Sequence, residues 1–209
     1  IVLPFAFIQN FYAPWLDAHT TSRVTREIPK DTKGHVIICA SDVISRGLID
    51  WLDSARIEYV LLEPDPVAAT HLHQDGIRVM VGDIDDSRTY EAARADQARL
   101  VIANVSDIIN TNIALTVRAV APDVEIAAIV EDDDAVDVLE LSGVNHVLPI
   151  KRWLGEQLAN RVAADETGLH PIGEYESLKI AELPTHDTPM VGMTVRETRL
   201  REEFGVNII

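Results

Sequence analysis

The chain has 209 residues, of which 47% are hydrophobic, enough to bury the core of one large domain or of one domain with a smaller second unit. Its formal net charge is -16, and no basic stripe could neutralise phosphates, so nucleic acid is excluded as a partner. The one cysteine, Cys39, lies in an apolar run, which rules out a disulfide framework and favours a reducing compartment.

Residues 1–16 are almost entirely apolar, and the sequence becomes polar immediately afterwards. This segment has no basic start and is shorter than the roughly 20 apolar residues that span a bilayer. Two interpretations stay open: the end of a spanning helix, with Tyr12 and Trp15 at the membrane interface, or an N-terminal arm docked on an apolar groove. Residues 20–34 follow as a polar linker.

Short apolar runs predict six β-strands, at Val36–Cys39, Tyr59–Leu62, Arg78–Val81, Leu100–Ala103, Glu125–Val130 and His146–Leu148. Helical patterns separate them, at Ile44–Ala55, Val67–Asp75, Ser87–Ala95, Asn110–Val120 and Ala135–Ser142. Strands that are buried on both faces read as continuous apolar runs. The alternation predicts an α/β fold with a Rossmann-like, doubly wound parallel sheet.

Ligands of such sheets bind at the carboxyl ends of the strands, so the residues that follow each strand are the candidates for a binding site. In strand order they are Ala40, Ser41 and Asp42; Glu63 and Asp65; Gly82 and Asp83; Asn104 and Asp107; and Glu131. Glu63 follows Ala40 at about the spacing of the acid that holds ribose hydroxyls in dinucleotide-binding folds. The sequence shows no nucleophile paired with a base and no Cys/His metal spacing. His71 and His73 are expected at the surface.

The first turn departs from the glycine-rich pattern of a dinucleotide site, because Ala40, Asp42 and Ser45 occupy the three glycine positions. Asp42 would place a negative side chain against the pyrophosphate, where at ~4 Å and an effective dielectric near 20 each like-charge pair costs roughly 4 kcal/mol. Asp42 is also predicted to N-cap the following helix. We therefore expect weak or absent NAD binding through the pyrophosphate, and favour a cation or an adenine nucleotide held through Glu63, Asp83 and the strand-four end at Asn104.

The sequences "VLLEPDP", "GIRVMVGDIDD" and "ARLVIANVSDIINTNIALTVRAVAPDVEIAAIV" resemble the RCK (regulator of potassium conductance) or TrkA-N domain. The Gly82–Asp83 pair and the "VIA" run followed by Asn110 are its typical marks. The resemblance divides the chain into the end of a pore inner helix with its linker (1–33), an RCK/TrkA-N domain (34–149), a crossover helix (150–166) and a partial TrkA-C-like subdomain (167–209).

The resemblance implies a regulatory domain that senses a ligand and catalyses nothing. It would form part of a gating ring at the cytoplasmic face of the cell membrane, in one polypeptide with the pore of a potassium channel. It would also be a homo-oligomer, from a dimer to a tetrameric or octameric ring. The dimer contact would lie on the predicted helix Ile150–Ala163, whose apolar stripe comprises Trp153, Leu154, Leu158 and Val162.

In calcium-gated members of the family, acidic residues after the fifth strand take part in ion binding. The resemblance therefore implies a metal site at Glu131 with Asp107. That site would be incomplete, because Ile129 stands where another acid is expected. The alternative is a solvated acidic helix start that is capped by Asp133 or Asp134.

Two other functions stay open on this fold: the regulatory subunit of a potassium uptake transporter, and an NAD-dependent oxidoreductase. The apolar N-terminus and the lack of a recognisable catalytic group favour the channel domain over the oxidoreductase. A detached transporter subunit would have little use for the aromatic N-terminal segment.

Overall fold

The computed structural model describes residues 24–167, 170–175, 178–182 and 188–206. The predicted end of a pore helix falls on residues 1–23, which lie outside this part of the chain. The chain divides into two compact units, Ile1–Ile150 and Lys151–Ile209, and each is described here by itself.

The first unit is built on a six-stranded parallel sheet with the strand order β3-β2-β1-β4-β5-β6. The strands are β1 Val36–Ile38, β2 Tyr59–Glu63, β3 Val79–Val81, β4 Leu100–Ala103, β5 Glu125–Ile129 and β6 His146–Leu148. The strand order reverses between β1 and β4, so the topological switch point lies at the carboxyl ends of these two strands. The predicted doubly wound sheet is confirmed.

Helices connect the strands and end within a few residues of their predicted bounds. They are α1 Val43–Ser54, α2 Pro66–Gln74, α3 Ser87–Ala92, α4 Asp107–Val120 and α5 Val136–Leu141, with 3-10 turns at Ala95–Gln97 and Asp133–Ala135. Helix α4 begins one turn earlier than predicted, at Asp107, because an acid in the first turn is favoured by the helix dipole.

Two clusters of buried side chains cover the two faces of the sheet. The side chains of β1 alternate between them: Val36 and Ile38 belong to one cluster, and Ile37 belongs to the other. This period of two is the geometry of a strand that is buried on both faces. The continuous apolar runs of the sequence are thereby explained.

The segment 24–34 precedes β1 and was predicted to be a polar linker. Val24 and Ile28 are only 7% and 9% exposed, and they belong to the two different core clusters. We call this segment the strap. The prediction was wrong about its packing, because two apolar residues four apart among charged ones give too weak a pattern to show burial.

The second unit contains helix α6 (Ile150–Thr167) from Lys151 onward, the antiparallel hairpin of β7 His170–Tyr175 and β8 Leu178–Glu182, and the short helices α7 Val195–Thr198 and α8 Leu200–Phe204. The predicted apolar stripe on α6 is solvent-exposed, at 45% for Trp153, 59% for Leu154, 60% for Leu158 and 74% for Val162. Among the described residues, no helix is long and apolar enough to cross a membrane.

Candidate functional site

The turn after β1 is closed by a capping box. The Ser45 amide donates to Asp42 Oδ1 at 2.7 Å, and the Asp42 amide donates to Ser45 Oγ at 2.7 Å. The N-cap that the sequence predicts at Asp42 is confirmed. A backbone donor that a pyrophosphate would use at a glycine-rich turn is therefore already paired with a carboxylate.

Asn104, at the end of β4, joins this turn across the switch point. Its Nδ2 donates to the carbonyl of Ala40 at 3.3 Å and to Asp42 Oδ1 at 3.2 Å. The residue is 7% exposed, and its Oδ1 has no hydrogen-bond partner among the described residues. Ala40 and Ser41, which complete the predicted set on this turn, are half-buried.

Glu63 and Asp65 follow β2, and they have different roles. Glu63 is half-buried, and its Oε1 accepts a hydrogen bond from the Asp65 amide at 3.0 Å. Asp65 Oδ1 accepts from the Val67 amide at 3.0 Å and so caps α2, which has Pro66 in its first turn. Asp65 therefore caps α2, whereas Glu63 Oε2 makes no hydrogen bond within the described part of the chain.

Gly82 brings the loop after β3 close to Glu63, since its amide donates to the Glu63 carbonyl at 3.3 Å. A Cβ atom on Gly82 would lie 2.4 Å from Thr89 Cγ2, which only glycine avoids. Asp83 is exposed, and its Oδ1 accepts from the Asp85 amide at 3.1 Å. The structure thus brings Glu63, Gly82 and Asp83 to one edge of the sheet.

Asp107 lies on the other side of the switch point, and its carboxylate accepts hydrogen bonds from two backbone amides. Its Oδ1 accepts from the Glu131 amide at 2.9 Å, and its Oδ2 accepts from the Asp132 amide at 3.1 Å. The sequence did not indicate this role, because the two amides belong to a loop that is distant from Asp107 in the sequence. The structure also shows that the predicted caps were wrong: Asp132 and Ala135 stand at the N-cap positions after β5, in place of Asp133 or Asp134.

Asn110, one of the residues that are typical of the family, is fully buried, and its side chain also forms hydrogen bonds to the backbone. Its Oδ1 accepts from the Val105 amide at 2.9 Å, and its Nδ2 donates to the Ile129 carbonyl at 2.8 Å. The side chain therefore fastens the end of β4 to the end of β5. Among the described residues, no group of three or more His, Cys, Asp or Glu side chains is arranged to hold a metal ion. The metal site at Glu131 and Asp107 stays a prediction.

Cys39 and Tyr90 lie beneath the switch point in the core. Burial raises the pKa of the Cys39 thiol to about 12, so the thiol stays protonated at neutral pH. The Tyr90 hydroxyl lies 3.7 Å from the Cys39 sulfur and donates to the Ile84 carbonyl at 2.8 Å. Neither group is available as a nucleophile. His71 and His73 are exposed, as the sequence predicts.

Residues 36–149 match the TrkA-N domain family, which is more than half of the chain. The chain belongs to the TrkA-N family. The match spans the whole parallel sheet and includes the switch-point turn, the Glu63 and Gly82 edge, and Asn110. The TrkA-N resemblance found in the sequence is confirmed, and the TrkA-C-like subdomain at 167–209 stays a prediction.

Three matches, two of them to GsuK, are to proteins that are longer than this chain. The structure of the GsuK channel bound to NAD is 36% identical, with a TM-score of 0.72, over 98% of this chain and 37% of that one. The structure of the GsuK RCK domain is 35% identical, with a TM-score of 0.71, over 94% of this chain and 43% of that one. The putative cation/proton antiporter YbaL of Escherichia coli (strain K12) is 24% identical over 150 residues, 71% of this chain and 26% of the antiporter. The chain spans less than half the length of each.

Proposed function

We propose that this chain is the ligand-sensing regulatory domain of a potassium channel and that its ligand is an adenine nucleotide. The support is the TrkA-N family membership together with 36% identity to a channel, over 98% of this chain. The observation that carries the ligand is Glu63, whose second carboxylate oxygen is uncommitted beside Gly82 at the carboxyl edge of the sheet.

The chemistry of the edge selects the part of the nucleotide that is bound. Glu63 can accept hydrogen bonds from the ribose hydroxyls, and the orphan Asn104 Oδ1 needs a donor. Asp42 stands where a pyrophosphate would approach, and its negative charge repels it. A mononucleotide whose phosphate turns away from Asp42 therefore fits better than NAD bound through its pyrophosphate.

The domain acts as a switch in this proposal and catalyses nothing. Switching requires only that the ligand bind one of two conformations more tightly than the other. Hydride transfer would also require a second substrate site with polar groups aimed at it. Turnover of NADH with a small aldehyde, or of NAD with a hydroxy acid, would contradict this part of the proposal.

The wider assembly follows from the proposed channel role. We propose a homo-oligomer at the cytoplasmic face of the cell membrane, from a dimer to a tetrameric or octameric ring, attached to the pore through the segment before Val24. The exposed apolar stripe of α6 supports self-association, since large exposed apolar patches mark interaction surfaces. A monomeric mass by light scattering at tens of micromolar would contradict it.

A regulatory domain of a cation transporter is the second candidate, and the match to a cation/proton antiporter favours it. The sequence of the full-length protein would separate the two candidates. A pore helix with a Gly-Tyr-Gly filter would identify a channel, whereas a longer set of transport helices without a filter would identify a transporter.

Replacing Glu63 tests the nucleotide site. We expect Glu63→Gln to weaken AMP binding at least tenfold in calorimetry, because hydrogen bonds to a charged acceptor contribute about 1.5–3 kcal/mol. Glu58→Gln is the matched control, since Glu58 is exposed and precedes the same strand at the opposite edge of the sheet. Equal AMP affinity in the wild type and Glu63→Gln would remove Glu63 from the site.

A further inference from the structure

Tyr90 is a fully buried residue of α3, and its hydroxyl contacts the loop after β3, residues 82–86. The hydroxyl donates a hydrogen bond to the carbonyl of Ile84 at 2.8 Å. Ile84 directly follows Asp83, whose side chain is exposed at the carboxyl edge of the sheet. The loop therefore directs a backbone carbonyl toward α3, while the preceding carboxylate is left open to solvent.

The same hydroxyl also contacts the end of β1. Its oxygen lies 3.7 Å from Cys39 Sγ, and because its own proton is donated to Ile84, the thiol is the donor in this contact. The thiol keeps its proton because burial raises its pKa. Cys39 directly precedes Ala40, the first residue of the turn that contains Asp42. Tyr90 therefore connects, from inside the core, the two loops that face the proposed nucleotide.

The position of Tyr90 is itself fixed by packing and by hydrogen bonds to the end of α3. Its ring belongs to the core cluster that contains Met80. The Ala92 carbonyl accepts the amide of Ile28 in the strap at 3.2 Å, and the Ala93 carbonyl lies 2.8 Å from Nε2 of the buried His35. A side chain that is held in this way can set the position of a loop that rests on it.

The hydroxyl of Tyr90 is needed for the loop and not for filling the core. A phenylalanine would occupy the same volume, and a buried hydroxyl is costly unless it is hydrogen-bonded. Among the described residues, the Ile84 carbonyl accepts no hydrogen bond from a backbone amide. Without the hydroxyl, this carbonyl would lose its partner, and the loop would have to shift to expose the carbonyl to water.

We propose that Tyr90 is a positioning residue of the nucleotide site, because its hydroxyl holds the loop after β3 with Asp83 already placed for the ligand. The ligand then does not have to order the loop, so the free energy that ordering would cost stays available for binding. The inference rests on the nucleotide site proposed above. It adds to that site a buried residue that acts through Asp83.

Removing the hydroxyl alone gives the first test. We expect Tyr90→Phe to weaken AMP binding about fivefold in calorimetry, because one buried hydrogen bond that places the loop is lost. Tyr59→Phe is the matched control. Tyr59 is also a buried tyrosine, but its hydroxyl donates to Asp53 Oδ2 at 3.4 Å at the opposite edge of the sheet. Its AMP affinity should equal that of the wild type.

A double-mutant cycle separates positioning of the loop from a general loosening of the domain. In the Asp83→Ala background, Tyr90→Phe should weaken AMP less than twofold, because the loop no longer presents the carboxylate. In the Glu63→Gln background, the effect of Tyr90→Phe should stay about fivefold, since Glu63 follows a different strand. Equal effects in the two backgrounds would contradict the proposal, because the hydroxyl would then act on the whole fold.

Amide hydrogen exchange of the wild type tests the preset loop without any variant. The Asp86 amide donates to the Asp83 carbonyl at 3.2 Å and so closes the loop. Before AMP is added, this amide should exchange at least tenfold more slowly than in an unfolded chain, and saturating AMP should slow it less than twofold further. A further slowing of tenfold or more would overturn the proposal, because the ligand and not Tyr90 would order the loop.

The failure of this inference is distinguishable from failure of the nucleotide site. If Glu63→Gln weakens AMP and a folded Tyr90→Phe variant binds AMP as the wild type does, the positioning role is wrong and the nucleotide site stands. If AMP, ADP and NAD all fail to bind the wild type, the nucleotide site is wrong, and the role of Tyr90 fails with it.

Discussion

The carboxyl edge of the sheet has two sides that use similar polar residues in different ways. On the β4–β5 side, the side chains of Asp107 and Asn110 form hydrogen bonds to backbone groups at the ends of β4 and β5. On the β2–β3 side, Glu63 and Asp83 each accept one amide from their own loop, and the other oxygen makes no hydrogen bond among the described residues. A residue type at a strand end is therefore not enough to define a ligand site.

The difference follows from where unpaired amides arise. The loop after β5 leaves the amides of Glu131 and Asp132 without strand partners, and Asp107 satisfies both. The loops after β2 and β3 are tight turns, in which one carboxylate oxygen reaches an amide two residues ahead. The second oxygen then remains available for a ligand, which makes this side the candidate binding surface.

The largest expected effect on stability comes from adding a methyl group at Gly82, on the β2–β3 side. We expect Gly82→Ala to lower the free energy of unfolding by about 2 kcal/mol, because its Cβ would overlap the buried Thr89 side chain. Urea denaturation followed by circular dichroism measures it.

Two further variants show whether the overlap with Thr89 is the cause. Thr89→Ser on the Gly82→Ala background removes the methyl group nearest the new Cβ and should restore part of the loss. Gly47→Ala, in the middle of α1 with nothing near its Cβ position, should stabilise the chain by about 0.5–1 kcal/mol. If Gly82→Ala were as stable as the wild type, the close approach of this loop to α3 would not constrain the residue.

The β4–β5 side gives the next largest effect. Asp107→Asn keeps one acceptor oxygen but turns an NH2 group toward a backbone amide. We therefore expect the free energy of unfolding, measured by urea denaturation, to fall by about 1.5 kcal/mol. Asp137→Asn, at an exposed position in the first turn of α5, is the control for removing one charge.

A calcium titration of the same variants tests the predicted metal site. If calcium stabilises the wild type and this stabilisation is lost in Asp107→Asn, the Asp107 carboxylate is a ligand.

Much of this edge could be predicted from the sequence, because the strands are continuous apolar runs whose ends are marked by polar residues. The N-cap at Asp42 was predictable for the same local reason, since an Asp before an amphipathic helix has few other roles. The burial of Val24 and Ile28 and the double contact of Asp107 were not predictable, because both depend on partners that are distant in the sequence. Such pairings are set by the sheet order.

The smallest expected effect concerns Asp42, where the two sides meet through Asn104. Asn caps helices about as well as Asp, so Asp42→Asn should leave the free energy of unfolding nearly unchanged. It removes the negative charge that opposes a pyrophosphate. We therefore expect NAD affinity in calorimetry to rise at least tenfold, or about 1.4 kcal/mol, with a smaller gain for AMP. Asp50→Asn, at an exposed position on the same helix, controls for net charge. If NAD bound the wild type as tightly as Asp42→Asn, the acid at the second glycine position would not be what selects the ligand.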